Sequence, residues 1–256
     1  MISIDVPGCD DPVRIYPNFA QDNLGIDVDE LWSHLRGLSH YDLNHVPPSG
    51  DVVAWLPGAN MSMKYRGNGI RRTKMWFQTG NPREEGLVKY GYTGWQWLVA
   101  PATVDIQRCT PLAEFTERLN AKLESDGMPP HNHWIATKYM DGTDTIGAHS
   151  DKTRTIAEGT EIVVIKLGPA RPFKLETLDG TVLFEESLEA GTAIFMRSDG
   201  ANVCSKHSVP PVKGFEDVTG SIVGRTIKEI VPWAKVDKEV TKRLETLAKK
   251  AEEIDP

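Results

Sequence analysis

The sequence predicts an α+β chain that is mainly β: a sandwich or barrel of jelly-roll size, braced by helices at its N-terminal and C-terminal ends. Two observations carry this. From about residue 132 onward the chain is written in short apolar runs, WIATKY, EIVVIKL, PFKLE, TVLFE, TAIFM, VCSKHSV and SIVGRTIKEI, broken by Gly, Pro, Asp and Asn. Short runs with turn residues between them are the grammar of a packed β fold. On either side lie stretches whose apolar residues recur at helical spacing. No repeat of about 20 to 50 residues and no Gly/Ser-rich or Pro-rich linker divides the chain. A single domain over 1–256 is therefore expected, with an N-terminal extension over 1–100, the jelly-roll core over 130–232 and a C-terminal helix over 233–256.

The helical elements follow in order. DVDELWSHLRGL places Leu31, Trp32, Leu35 and Leu38 on one face behind acidic first-turn residues, which suit the positive end of the helix dipole. In the second helix Thr110 is the expected cap and Pro111 sits in the first turn. Leu112, Phe115, Leu119 and Leu123 form its stripe before Gly127 stops it. These two helices are expected to brace one face of a sheet. The final stretch carries Val240, Leu244, Leu247, Ala251 and Ile254 on one stripe, with Glu239 and Arg243 or Glu245 and Lys249 able to pair at i,i+4. It reads as a helix packed on the sheet. Gly142, Gly168 and Gly191 read as turn residues where a positive φ is cheap.

Composition bounds the function class. The 256 residues hold 29 Lys plus Arg against 36 Asp plus Glu, a net charge of −7; apolar residues are 39% and charged residues 25%. These are the proportions of an ordinary soluble globular chain, long enough to bury a sizeable core. The acidic balance argues against a protein that coats nucleic acid, although a local basic patch can still act. The start, MISIDVPGCDDPVRIY, lacks a basic n-region followed by an apolar run, and no stretch approaches about 20 consecutive apolar residues. A cytoplasmic, soluble chain without a membrane partner is the expectation. Cys9, Cys109 and Cys204 lie far apart and show no zinc-type spacing, so they are expected to be plain buried or surface thiols.

Chemistry concentrates in HNHWIATKYMDGTDTIGAHSDK, which ends in His149, Ser150 and Asp151. Residues i and i+2 of an extended segment face one side, so an imidazole and a carboxylate can meet one ion. A third ligand is available in His207, 58 residues on, inside VCSKHSV. Two His and one carboxylate on one face of a metal, with the opposite positions open, are the ligand set of non-haem Fe(II) oxygenases. HNH at His131 to His133 could bind metal as well, but it precedes the strand, and both His are read as surface or turn residues.

The surroundings of the triplet resemble the AlkB-like Fe(II)/2-oxoglutarate dioxygenases. That family's pattern runs FN, N-x-Y, a Gly turn, H-x-D, a strand ending in LG, a distal His and R-x-S/N-x-x-x-R. Asn132 matches the Asn of FN, Tyr139 the Tyr of N-x-Y and Gly142 the turn. IVVIKLGPARPF matches the LG strand, GTAIFM precedes the distal His207, and SIVGRTI reaches Arg225. Upstream, IRRTKMWF and YGYTGW look like the family's P-R-x-T-x-W-Y and Y-x-Y-S-G segments, so the resemblance covers about residues 70 to 230. It implies a double-stranded β-helix holding Fe(II) through His149, Asp151 and His207, with 2-oxoglutarate and O2 as co-substrates. It also implies a co-substrate pocket formed by Thr137, Tyr139, Lys166, Ser221 and Arg225.

Two departures bear on that pocket. The Asn of N-x-Y is Thr137, and the first Arg of R-x-S falls on Thr219. In the family that Arg pairs with the distal carboxylate of 2-oxoglutarate, and a buried carboxylate without a cation is costly. Lys166 is one replacement, because a Lys inside IVVIKLG is unexpected unless it meets an anion or snorkels. A strand Lys does this in the related JmjC-type oxygenases. Arg225 is the other, and a third outcome is that another acid replaces 2-oxoglutarate or that the pocket has lost it.

Three function classes stay open on the sequence. Lys64, Arg66, Arg71, Arg72 and Lys74 fall in a run without an acidic residue, followed by Trp76, Tyr90, Tyr92, Trp95 and Trp97. Cations beside aromatics suit phosphate pairing and base stacking. The resemblance makes this region a lid over a flipped, methylated base, with Arg72, Trp76, Tyr90, Tyr92 and Trp95 at the substrate. A small-molecule substrate on the same centre is the second reading, and a non-catalytic β-sandwich binding module the third.

Overall fold

The computed structural model describes residues 1–40, 53–57, 64–65, 68–69, 72–91 and 102–254. The chain opens with a hairpin of β1 (Ile2–Ile4) and β2 (Val13–Tyr16), followed by α1 (Phe19–Leu24) and α2 (Val28–Gly37). Short strands β3 (Leu56–Pro57), β4 (Lys64–Tyr65) and β5 (Asn68–Gly69) precede the longer β6 (Thr73–Gln78). Then come α3 (Pro82–Glu85), β7 (Leu87–Val88), β8 (Thr103–Asp105) and the long α4 (Thr110–Ser125).

From there the chain shuttles between two sheets. β9 (His133–Tyr139), β11 (Glu161–Leu167), β14 (Ala193–Arg197) and β16 (Thr219–Arg225) join the large sheet. β10 (Ile146–His149), β12 (Arg171–Thr177), β13 (Val182–Leu188) and β15 (Ser205–Val209) form the small one. The large sheet runs β1-β2-β14-β11-β16-β9-β6-β3, with β8 parallel to β6; the small one runs β10-β15-β12-β13. A short α5 (Ala201–Cys204) leads into β15, and β17 (Ile230–Val231) leads into α6 (Trp233–Ile254).

The alternation of side chains gives the large sheet two different faces. Met75, Phe77, Trp134, Ala136, Val163, Ile165 and Phe195 turn outward and pack under α1, α2 and α4, as the two-helix brace predicts. Trp76, Ile135, Ile162, Val164, Ile194 and Met196 turn inward against Phe173, Leu175 and Leu188 of the small sheet. Both faces of β9 and β11 are thus covered, and every residue of each is buried. That double burial is why EIVVIKL reads as a continuous apolar run and not as an alternating one.

Local chemistry sets the helix ends. Asp27 caps α2 by accepting from the amides of Asp29 and Glu30 at 2.9 and 3.0 Å. Thr110, in contrast, is already inside α4; Cys109 is the cap residue and no side chain caps that end. Gly127 does stop α4, at φ +77°. Val203 and Cys204 of VCSKHSV belong to a helical turn, and the strand starts only at Ser205. The start of α6 packs Trp233, Val236 and Val240 on Leu87 and Val231, the β7–β17 pair, and not on the main sheets.

Two further expectations need correction. Cys9 and Cys204 are not free thiols but a disulfide, because β2 adds to β14 and so brings the β1–β2 loop beside α5. Only Cys109, among the described residues, is a buried free thiol. Gly168 and Gly191 do take positive φ, but Gly142 does not. It is needed for space: a Cβ there would stand 2.0 Å from the Val212 carbonyl oxygen.

Gly220 is under a similar constraint. A Cβ on it would meet the Trp32 ring at 2.7 Å and the Thr137 carbonyl at 3.0 Å, and Trp32 is 4% exposed. Gly220→Ala is expected to lose roughly 1–3 kcal/mol of stability by overpacking. Gly37→Ala, where no atom lies within 4 Å, is expected to hold or raise stability. Urea unfolding of both variants checks the pair.

Candidate metal centre

The antiparallel pairing of β10 with β15 sets His149 directly opposite His207, with the ring centroids 4.4 Å apart. Asp151 follows two residues after His149, past the end of β10, and its Oδ1 lies 3.9 Å from His149 Nε2. One donor atom from each of the three lies within 4.8 Å of the others. His149 Nδ1 donates to the Gly147 carbonyl at 2.8 Å, which leaves the lone pair on Nε2, the nitrogen turned towards Asp151. Burial, with the neighbouring His149, pushes His207 down to about 3 against the opposing pull of Asp151. It is a neutral imidazole near neutral pH, the form that ligates.

Asp151 is held from two sides. Burial works against its ionisation, yet the Arg225 guanidinium, with His207 and His149, holds the carboxyl well below the usual carboxylate range. Arg225 donates through Nε and Nη2 to Asp151 Oδ2 at 3.0 and 2.6 Å. The guanidinium also stacks over the Tyr90 ring, 4.4 Å from its centroid. From the other side Asn202, fully buried, accepts from the Asp151 amide at 2.8 Å and donates to its carbonyl at 3.2 Å. The Tyr90 hydroxyl also bonds the Asp151 carboxylate, whose Oδ1 lies on the His149 side.

Deeper in the sandwich the register draws a polar row across the inner face of the large sheet. Lys74, Thr137, Ser221 and Lys166 are successive partners on β6, β9, β16 and β11, and all are buried. Tyr139 and Thr219 pair in the next inward row; the Tyr139 hydroxyl bonds Ser221. Burial, helped by Arg171, brings the Lys166 ammonium down to about 8. Arg225 is at the other end of β16, four residues from Ser221, about 13 Å along the strand. Thr137, Tyr139, Lys166 and Ser221 therefore cluster, while Arg225 sits apart with Asp151.

Of the residues expected at the substrate, Arg72 donates to the Thr145 carbonyl at 2.5 Å. Trp76 and Tyr90 are 4% and 6% exposed and belong to the inner core. Tyr92 and Trp95 lie outside the described residues. His131 and His133 are not surface residues: each is 2% exposed, and burial lowers them to about 4 and about 3, so both are neutral. Asn120 binds the His131 backbone in both directions, and His131 Nε2 donates to the Glu161 carbonyl, which draws the segment inward.

Sequence reasoning missed Asn202 and Arg171. Arg171 is fully buried and donates to the carbonyls of Asp141, Gly142 and Asp144, tying down the turn between β9 and β10. Its one signal was an Arg directly after the LGPA turn. Asn202 gave none, since its role is made by long-range contact.

Arg225→Met leaves Asp151 buried without its counter-charge. In the metal-free chain it is expected to cost about 3–5 kcal/mol, read by urea unfolding; a loss below about 1 kcal/mol contradicts the pairing.

No family model matches the sequence, and no curated protein matches it. A solved structure of OsALKBH1 matches at a TM-score of 0.51 and 13% identity, over 84% of this chain and 97% of that one. A 2OG-Fe(II) oxygenase family oxidoreductase from Burkholderia pseudomallei matches at a TM-score of 0.32 and 17% identity, over 47% and 53%; that likeness is too slight to argue from. The fold is thus AlkB-like, mixed α+β with a large sheet facing a smaller one.

Proposed function

We propose that the chain is an Fe(II)/2-oxoglutarate-dependent dioxygenase built on a double-stranded β-helix. The convergence of His149, Asp151 and His207 carries this reading, and the crossing of β9 to β16 between two sheets, broken only by the β12–β13 hairpin, supports the fold. The donor set fits the metal: two imidazoles, one neutral and one with its tautomer fixed, and an ionised carboxylate. Bound iron supplies the activation of O2 that couples decarboxylation of 2-oxoglutarate to succinate with oxidation of the substrate.

The chain's own residues divide the remaining work. Arg225 keeps Asp151 ionised. Thr137, Tyr139 and Ser221 offer hydroxyls to the oxo acid, and Lys166 takes its distal carboxylate. Lys166 is favoured over Arg225 because Arg225 is already paired with Asp151, whereas the Lys166 ammonium, 2% exposed, has no hydrogen bond or ion pair with any described residue. Burial disfavours that ammonium until an anion meets it. The apolar row between these groups, Trp76, Ile135, Val223 and Val164, excludes water from the reaction.

The substrate is read as a methylated nucleobase, on the strength of the basic run from Lys64 to Lys74 and the aromatic residues Tyr92, Trp95 and Trp97. Burial of Trp76 and Tyr90 removes two of the expected stacking rings. That favours a second reading, a small-molecule substrate on the same centre. Succinate release with methylated oligonucleotides, nucleosides and amino acids separates the two; an oligonucleotide substrate also shows a steep fall of binding with salt.

Fe(II)-dependent succinate formation is expected in the parent chain and absent in His149→Ala and His207→Ala. Equal turnover in these variants refutes the reading. Lys166→Met is expected to weaken 2-oxoglutarate binding by about 2 kcal/mol or more, roughly 30-fold, at unchanged metal affinity. The oxo acid binds the charged ammonium, so parent affinity is full below about pH 7 and declines as pH rises through about 8. In Lys166→Met that decline disappears. Calorimetric titration of the Mn(II)-loaded chains from pH 6.5 to 9.5 measures both effects.

A further inference from the structure

The segment from Ala201 to Ser205 is stitched to both residues that follow His149. Asn202 binds the amide and the carbonyl of Asp151 and also donates to the Ser198 carbonyl at 3.3 Å. Ser150 Oγ donates to the Ser205 carbonyl at 2.6 Å, and Ser205 Oγ donates to the Ala201 carbonyl at 2.7 Å. The same segment runs into β15, where His207 stands three residues after Cys204. Two of the three candidate ligands are therefore positioned by one turn of backbone.

That turn has little intrinsic stability. α5 is four residues long, has no side-chain cap, and begins after Gly200; one helical turn does not sustain itself in water. Its anchorage is tertiary. Cys204 is joined to Cys9, 195 residues away, on the loop between β1 and β2. The cross-link lies at the surface: both cysteines are only partly buried, and Val203 between Asn202 and Cys204 is 42% exposed. A reductant can reach it.

We propose that the Cys9–Cys204 disulfide controls the metal centre through Asn202, a positioning residue for Asp151. With the disulfide closed, α5 is pinned to the N-terminal hairpin and Asn202 fixes the Asp151 backbone so that its carboxylate faces both imidazoles. A dithiol reductant opens it: one thiolate attacks a sulfur to form a mixed disulfide, and its second thiol resolves that intermediate. Two electrons and two protons pass to Cys9 and Cys204, and the reductant leaves as its own disulfide. Released from the hairpin, α5 holds Asn202 less firmly and the ion is bound more weakly. Partners behind a metal ligand change affinity by about 10- to 100-fold.

This inference rests on the metal-binding reading, and the test separates the two. Co(II) is titrated anaerobically into the full chain, as isolated and after reduction with a dithiol removed by desalting, with circular dichroism recorded on each sample. Reduction is expected to weaken Co(II) binding about tenfold while the fold persists, and Cys9→Ser/Cys204→Ser is expected to match the reduced parent. Asn202→Ala is expected to bind weakly in both redox states. Equal affinity of oxidised and reduced parent overturns the inference, as does loss of the fold on reduction, which makes the cross-link mere scaffolding. A redox response that survives in Asn202→Ala overturns the route through Asn202. If Asn202→Ala does not fold, Asn202→Asp, which keeps the acceptor and loses the donor, takes its place. Co(II) binding that survives in His149→Ala refutes the metal centre itself.

Discussion

The buried pair of Arg225 and Asp151 is the interaction on which the candidate site depends. A carboxyl taken out of water beside two imidazoles would by burial alone favour its neutral form, and a protonated carboxyl is a poor ligand. The bidentate guanidinium reverses that preference. It uses Oδ2, with Oδ1 on the side of His149, so charge and direction are set by the same contact. Tyr90 completes the arrangement by covering the guanidinium with its ring face, a contact that favours a cation where water is scarce.

Such a pair is tolerable inside a β sandwich because the inner face is zoned. Gln78, His133 and Arg225 form one row, Trp76, Ile135, Val223, Val164, Ile194 and Ile15 the next, and Lys74, Thr137, Ser221 and Lys166 the third. The apolar middle row packs against the small sheet and holds the layers together. The polar rows on either side are spaced by two residues of strand each, about 7 Å from the middle.

The sequence carried the parts of this design that are local. HxD, the distal His and the apolar strands were legible because each reports on its own backbone: i and i+2 share a side, and a doubly covered strand is apolar throughout. Lys166 was legible as an anomaly within such a strand. The functions of Arg225 and Asn202 were not, because each is defined by a partner 74 or 51 residues away. Burial of His131 and His133 was hidden for the same reason, since Asn120 and the Glu161 carbonyl draw them in. The cysteines misled through spacing: residues 195 apart in sequence meet only because β2 pairs with β14.

That last pairing changes how the N-terminal hairpin is understood. β1 and β2 extend the large sheet beyond β14, far along the strand order from β9 and β6, and their own residues offer nothing to the metal site. Their consequence runs through the edge. By adding to β14 they carry Cys9 to α5, and α5 holds both the backbone of Asp151 and the approach to His207. A core this well packed resists graded deformation, so an outside influence on the site must enter through a segment with little stability of its own. The one-turn helix between β14 and β15, short and without a side-chain cap, is such a segment, and the hairpin is fastened to it by a bond that chemistry can break.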